Sequence, residues 1–103
     1  MFKLKTGVNP TGIKAELLLV IMVANEVYRD RGYDCVVTSI NDSTHSQTSR
    51  HYQGCAVDFR TRNFPNDGIA REVTEEIRQR LGRHYMVLFE RNHIHVSYKP
   101  RKP

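Results

Sequence analysis

The sequence predicts an α+β domain, and three observations carry that prediction. Two segments, 13–31 and 69–81, repeat apolar residues at the three-and-four spacing of a helix. Four short β-branched or aromatic runs, at 33–40, 55–60, 85–90 and 93–98, read as strands. The last two runs are separated only by Arg91-Asn92, the length of a tight β-hairpin connection. A chain of 103 residues is expected to form one domain. Its core is modest, and a bound metal would add to its stability.

Taken in order, residues 2–4 are expected as a short edge strand. Gly7, Asn9, Pro10 and Gly12 then make a turn-rich loop, and Thr11 is the expected cap of the first helix. Ile13, Leu17, Val20, Ala24 and Val27 line one helix face. Leu18, Ile21 and Tyr28 widen it, so this helix is expected to be covered on more than one side. Gly32 stops it, since glycine tolerates the positive φ of a helix end.

The run 33–40 is the second strand. Residues 41–53 are polar throughout and are expected as a loop; loops of that length are usually functional or disordered. In the strand 55–60, alternation places Cys55, Val57 and Phe59 toward a core and Ala56, Asp58 and Arg60 toward something polar. Asn66 or Asp67 caps the second helix, whose charged residues form a solvated face. In the hairpin a two-residue turn sets Glu90 opposite His93 and Leu88 opposite His95. Glu90, His93 and His95 then emerge on one side, and Val87, Phe89, Ile94, Val96 and Tyr98 on the other.

Two stretches carry the chemistry. The first contains His51, Gly54, Ala56 and Asp58 in the spacing His-x-x-Gly-x-Ala-x-Asp; the second is Glu90-Arg91-Asn92-His93-Ile94-His95. A catalytic zinc takes three protein ligands and keeps a position open for water. His51, Asp58 and His95 supply two imidazole nitrogens and a carboxylate oxygen. Glu90 is placed to take a proton from water and return it to a departing amine, and His93 to hydrogen-bond an oxyanion. Asp42, His45 and Ser49 precede the ligands and are expected to orient His51 or to bind substrate. Singly, each of these residues has an ordinary structural explanation. Their co-occurrence makes the case: four of the five histidines fall in two short stretches beside carboxylates on matching faces. His84, outside both, reads as structural.

The formal charge is +5, and the only basic cluster is the tail at about 99–103, Lys-Pro-Arg-Lys-Pro. Such a balance suits a polyanionic partner or simply a soluble surface. No nucleic-acid-binding signature accompanies it, so a specific nucleic-acid partner is not expected. Cys35 and Cys55 lie in apolar strand-like runs and are expected as buried free thiols. The start, Met-Phe-Lys-Leu-Lys-Thr-Gly, lacks a leader's apolar stretch, and the run 17–24 is too short to span a bilayer. Synthesis in a cytoplasm without an export signal is therefore expected.

Thr38-Ser39, Asp42, His45, Ser49, His51, Gly54, Ala56, Asp58 and Arg60, followed by Glu90 and His93-x-His95, resemble a known family. It is the D-Ala-D-Ala carboxypeptidase and L-alanyl-D-glutamate endopeptidase group of the LAS zinc peptidases, which share a fold with the Hedgehog signalling domain. The small phage-type members are the nearest in kind. The resemblance implies a small antiparallel sheet with two main helices on one side. It also implies one Zn2+ on His51, Asp58 and His95, with Glu90 and His93 catalytic. The implied substrates are peptidoglycan stem peptides, cut beside a D-amino acid. Separately, a monomer that acts on the wall after release is expected. Many relatives carry an arginine shortly after the Thr-Ser strand that pairs with a substrate carboxylate; here Ile40-Asn41-Asp42 stand there, and Arg50 or Arg60 is left for that task. A non-catalytic, zinc-stabilised binding module of the same fold is the alternative.

Overall fold

The computed structural model describes residues 2–10, 13–42 and 55–100, with Asn41 and Asp42 described by their backbone alone. The elements in chain order are β1 (Phe2–Leu4), α1 (Ala15–Asp30), β2 (Cys35–Asp42), β3 (Cys55–Arg60), α2 (Asp67–Leu81), β4 (Tyr85–Glu90) and β5 (His93–Tyr98). The five strands form one sheet in the order β1-β2-β3-β5-β4. The α+β class holds, and the ladder is antiparallel from β2 to β4. β1 joins β2 in parallel, pairing Phe2 with Cys35 and Leu4 with Val37, so the sheet is mixed rather than wholly antiparallel.

Both helices pack on one face. Leu17, Val20, Ala24, Val27 and Tyr28 of α1 and Ala70, Val73 and Ile77 of α2 bury against Cys35, Val37, Val57, Phe59, Val87, Ile94 and Val96 of the sheet. Full burial of each such aliphatic or aromatic side chain contributes about 1.5–3 kcal/mol before entropy is counted. The opposite face of the sheet carries Asp58, Arg60, Glu90, His93 and His95, as strand alternation requires.

Two boundaries and one helix face differ from expectation. α1 begins at Ala15, with Lys14 at its N-cap and no side-chain cap hydrogen bond there; Thr11, the expected cap, lies outside the described residues. Ile21 and Tyr28 are buried, as the widened face requires, and α1 meets both the sheet and α2, but Leu18, with Leu19 and Met22, is exposed. β2 continues through Asn41 and Asp42, which pair with Ala56 and Cys55, so these two residues belong to the strand and not to the expected loop. A register shift between Val37 and Ser39 lets this longer strand keep Val37 opposite Phe59 and Ser39 opposite Asp58. Among the described residues no helix is long and apolar enough to cross a membrane.

The second helix is as expected. Asn66 is its N-cap, its side chain accepting from the Ile69 N–H at 3.0 Å, and Gly82 at φ 85° ends it. Arg78 of α2 donates to the main-chain carbonyl of Val87 in β4. Both cysteines are buried free thiols, and burial pushes the Cys35 thiol up to about 12, which keeps it protonated and inert at neutral pH.

Two contacts fix the strand ends that matter for the site. The hydroxyl of Tyr28, fully buried, donates to the Arg60 carbonyl at 2.7 Å and holds the end of β3. The hairpin turn runs through Arg91, the only non-glycine residue with positive φ (52°) among the described residues. A side chain in that conformation costs about 1–2 kcal/mol that glycine avoids. Replacing Arg91 by Gly is therefore expected to raise stability by up to about 1 kcal/mol in chemical denaturation, after the entropy of glycine is offset. Tyr28→Phe removes the buried donor and should cost about 1–2 kcal/mol in the same measurement.

Candidate metal centre

The hairpin supplies two of the site's side chains and its neighbour strand a third. Glu90 pairs with His93 and Leu88 with His95 across β4–β5, the register expected from the two-residue turn. On its other edge β5 pairs with β3, which brings Asp58 directly opposite His95 and Arg60 opposite His93. Asp58, His93 and His95 consequently share the open face, with ligand-capable atoms all within 4.8 Å of one another.

The contacts are specific. His95 Nδ1 lies 2.8 Å from Asp58 Oδ1, a charge-assisted hydrogen bond in which the ring N–H donates. His93 Nε2 is 4.0 Å from Asp58 Oδ2 and 3.3 Å from Glu90 Oε1. His93 Nδ1 is 2.9 Å from Asn92 Oδ1, so the Nδ1–H donates to the amide oxygen and Nε2 is left facing the two carboxylates. All three members of the Asp/His/His group are half-buried, and Glu90 at the rim is about half exposed. That gradient suits a site that holds an ion at its floor and admits solvent and ligand from above.

The donor set fits a divalent cation. Two imidazoles and a carboxylate are the nitrogen and oxygen ligands of a catalytic metal site. The separations of 2.8 Å and 4.0 Å straddle the roughly 3.4 Å expected between ligand atoms around a tetrahedral ion. The Asp58–His95 hydrogen bond occupies the space an ion would share, so a metal and the Nδ1 proton compete for it.

The expected residues are distributed as follows. Asp58 and His95 come together, and His93 joins them as a third potential ligand as well as lying beside Glu90. Arg60 stands two residues beyond Asp58 on the same face, lining the adjoining cleft. His51, the third expected ligand, lies outside the described residues, as do His45 and Ser49; for Asp42 only the backbone is described, paired with Cys55. The sequence reading missed Asn92, the turn residue that orients His93. Its place between two strands of site residues was the available signal. Thr38, whose hydroxyl donates to the Asp58 carbonyl at 3.3 Å, fixes the backbone of the central carboxylate from β2. No protein-family model, curated protein or solved structure matches this chain.

Replacing Asp58 or His95 by Ala is expected to weaken divalent-metal affinity about 100-fold or more, read by chelator competition, since loss of outer partners alone costs about 10–100-fold. Metal at about 100 times its Kd should stabilise the protein by about 2.7 kcal/mol, an increment that chelation removes.

Proposed function

We propose that this chain is a zinc-dependent peptidoglycan peptidase that hydrolyses a cell-wall peptide bond beside a D-amino acid. The observation that carries the reading is the meeting of Asp58, His93 and His95 with Glu90 on one open sheet face. Two imidazoles and a carboxylate favour zinc among the divalent ions, although such ligands accept others. The substrate class rests on the resemblance of His51-x-x-Gly54-x-Ala56-x-Asp58 plus His93-x-His95 to the LAS peptidases, and so does the Hedgehog-type kinship of the fold.

In this reading His51, Asp58 and His95 hold the ion. When bound, the ion supplies Lewis acidity and brings the pKa of water to about 7. Glu90, at the exposed rim, accepts the proton of the attacking water and delivers it to the departing amine. His93, beside Glu90 and oriented through Nδ1 by Asn92, is assigned to hydrogen-bond the oxyanion. A pre-aimed donor of this kind is worth about 3–4 kcal/mol of barrier. Asp42, His45, Ser49 and Arg60 are assigned to substrate or to orienting the ligands. The enzyme is made in a cytoplasm, that of the host for a phage protein, and acts on the wall after release.

The decisive experiment is metal analysis of the purified protein combined with digestion of purified muropeptides followed by mass spectrometry. Cleavage next to a D-residue, lost on chelation and restored by zinc, is the expected result. Glu90→Ala should retain zinc and lose about 10²–10⁴-fold in kcat. Tight zinc and a raised melting temperature without cleavage under any metal would instead identify the non-catalytic binding module.

A further inference from the structure

The two oxygens of the Asp58 carboxylate serve different neighbours. Oδ1 lies 2.8 Å from His95 Nδ1. Oδ2 lies 4.0 Å from His93 Nε2, which is in turn 3.3 Å from Glu90 Oε1. The strand register makes this division. His95 stands opposite Asp58 on β3 and Leu88 on β4, whereas His93 stands opposite Arg60 and Glu90. Glu90 is therefore beside His93, and an apolar residue takes the matching place beside His95. The polar face thus carries two neighbouring ligand-capable groups joined through one carboxylate: His95 with Oδ1, and His93 with Oδ2 and Glu90.

The second group gathers acceptors only. The His93 Nδ1–H donates to Asn92 Oδ1 at 2.9 Å, so Nε2 of the neutral ring is an acceptor. Nε2, Glu90 Oε1 and Asp58 Oδ2 then stand side by side with no hydrogen-bond donor between them among the described residues. Electron-rich atoms so placed repel one another, and a cation among them reverses the sign. One imidazole nitrogen and two carboxylate oxygens suit a borderline divalent ion such as zinc, whereas magnesium and calcium take oxygen ligands. The 3.3 Å between His93 and Glu90 is close to the roughly 3.4 Å expected between neighbouring ligands of a tetrahedral ion. The 4.0 Å to Asp58 closes with a small side-chain adjustment. Paired ions in two-metal sites stand about 3.5–4 Å apart, a spacing that one bridging carboxylate can span.

We propose that Glu90, His93 and Asp58 Oδ2 form a second, weaker zinc site beside the first, with Asp58 bridging the two ions, and that filling it switches the enzyme off. An ion there occupies the Glu90 oxygen that is to accept the proton of water and the ring nitrogen that is to face the oxyanion. Turnover then stops although the first ion stays in place. Two features make this site the weaker one. Its ligand Glu90 is half exposed, and its surroundings are basic, since Arg60 stands opposite His93 and Arg91 follows Glu90. The place of the first ion, on the His95 side, and the inhibitory effect both rest on the peptidase reading. Coordination by Glu90, His93 and Asp58 does not.

The test uses the whole chain, isotope-labelled and stripped of metal, with zinc added stepwise. Native mass spectrometry counts the ions, and the imidazole nitrogen shifts locate them. The first equivalent is expected to move His95 Nδ1, and a weaker second one His93 Nε2. Magnesium should move neither. Glu90→Gln, at an exposed position, should weaken the second equivalent about tenfold or more and leave the first unchanged. Asn92→Ala, which releases the ring without removing a ligand, should weaken the second about tenfold. In muropeptide digestion, zinc beyond one equivalent is expected to lower kcat, and Asn92→Ala to need about tenfold more zinc for the same loss. A single equivalent that moves both rings together would assign them to one ion and overturn the proposal. So would a second equivalent indifferent to Glu90→Gln, while full turnover with both ions bound would overturn the inhibitory role. Two equivalents on a protein that cleaves no muropeptide defeat only the peptidase reading. Cleavage by a protein that takes one equivalent and tolerates excess zinc defeats only the second site.

Discussion

Asp58 stands directly across the ladder from His95, and Glu90 across from His93, because three strands share one register. Everything on the open face depends on that register. The alternation that sends Val57, Phe59, Ile94 and Val96 into the core sends Asp58, His93 and His95 outward. A slip of one residue would drive a carboxylate and two imidazoles into a hydrocarbon interior and bring the apolar side chains out. Burying such groups without partners costs several kcal/mol apiece. The hydrophobic core therefore does more than stabilise the domain: it indexes the polar group residue by residue. The two-residue turn at Arg91-Asn92 completes the index by leaving no slack between β4 and β5.

The placement of the group on the sheet follows from the same constraint. β3 and β5 are inner strands, each paired on both edges, so Asp58, His93 and His95 rise from the part of the sheet with the most main-chain partners. Glu90 rises from an outer strand and is the most exposed of the four. Floor groups that stay put and a rim group with freedom to swing are a sensible division between holding an ion and moving protons.

Much of this was legible in the chain itself, for physical reasons. Period-two alternation in 55–60 and 93–98 and the length of the turn specified which side chains share a face. Local rules suffice for such short-range geometry. Features set by distant contacts were not legible. Whether β1 runs parallel or antiparallel to β2 is decided by how the long α1 connection returns the chain, and three residues carry no signal of it. Leu18 has the same apolar chemistry as Leu17, yet only Leu17 meets the sheet, since the sequence does not record where a helix lands. Asn41 and Asp42 read as loop by composition. Pairing with Ala56 and Cys55 overrides that preference, because a strand end beside a formed partner gains hydrogen bonds whatever its side chains. Asn92 escaped notice because it acts through a single hydrogen bond to its own neighbour, and turn residues of its type are common.

The contact between Arg78 and the carbonyl of Val87 bears on how copies of this molecule behave toward one another. β4 is the outermost strand on its side, and a bare outer strand offers its backbone as a template for any stray chain. A guanidinium from α2 already occupies one of those outward oxygens. Among the described residues the opposite border is the three-residue β1, which carries Lys3, and beyond it residues 38–42 of β2. With one of its outward oxygens taken by a charged side chain, β4 can display Met86 and Leu88 to solvent with less risk of pairing edge to edge.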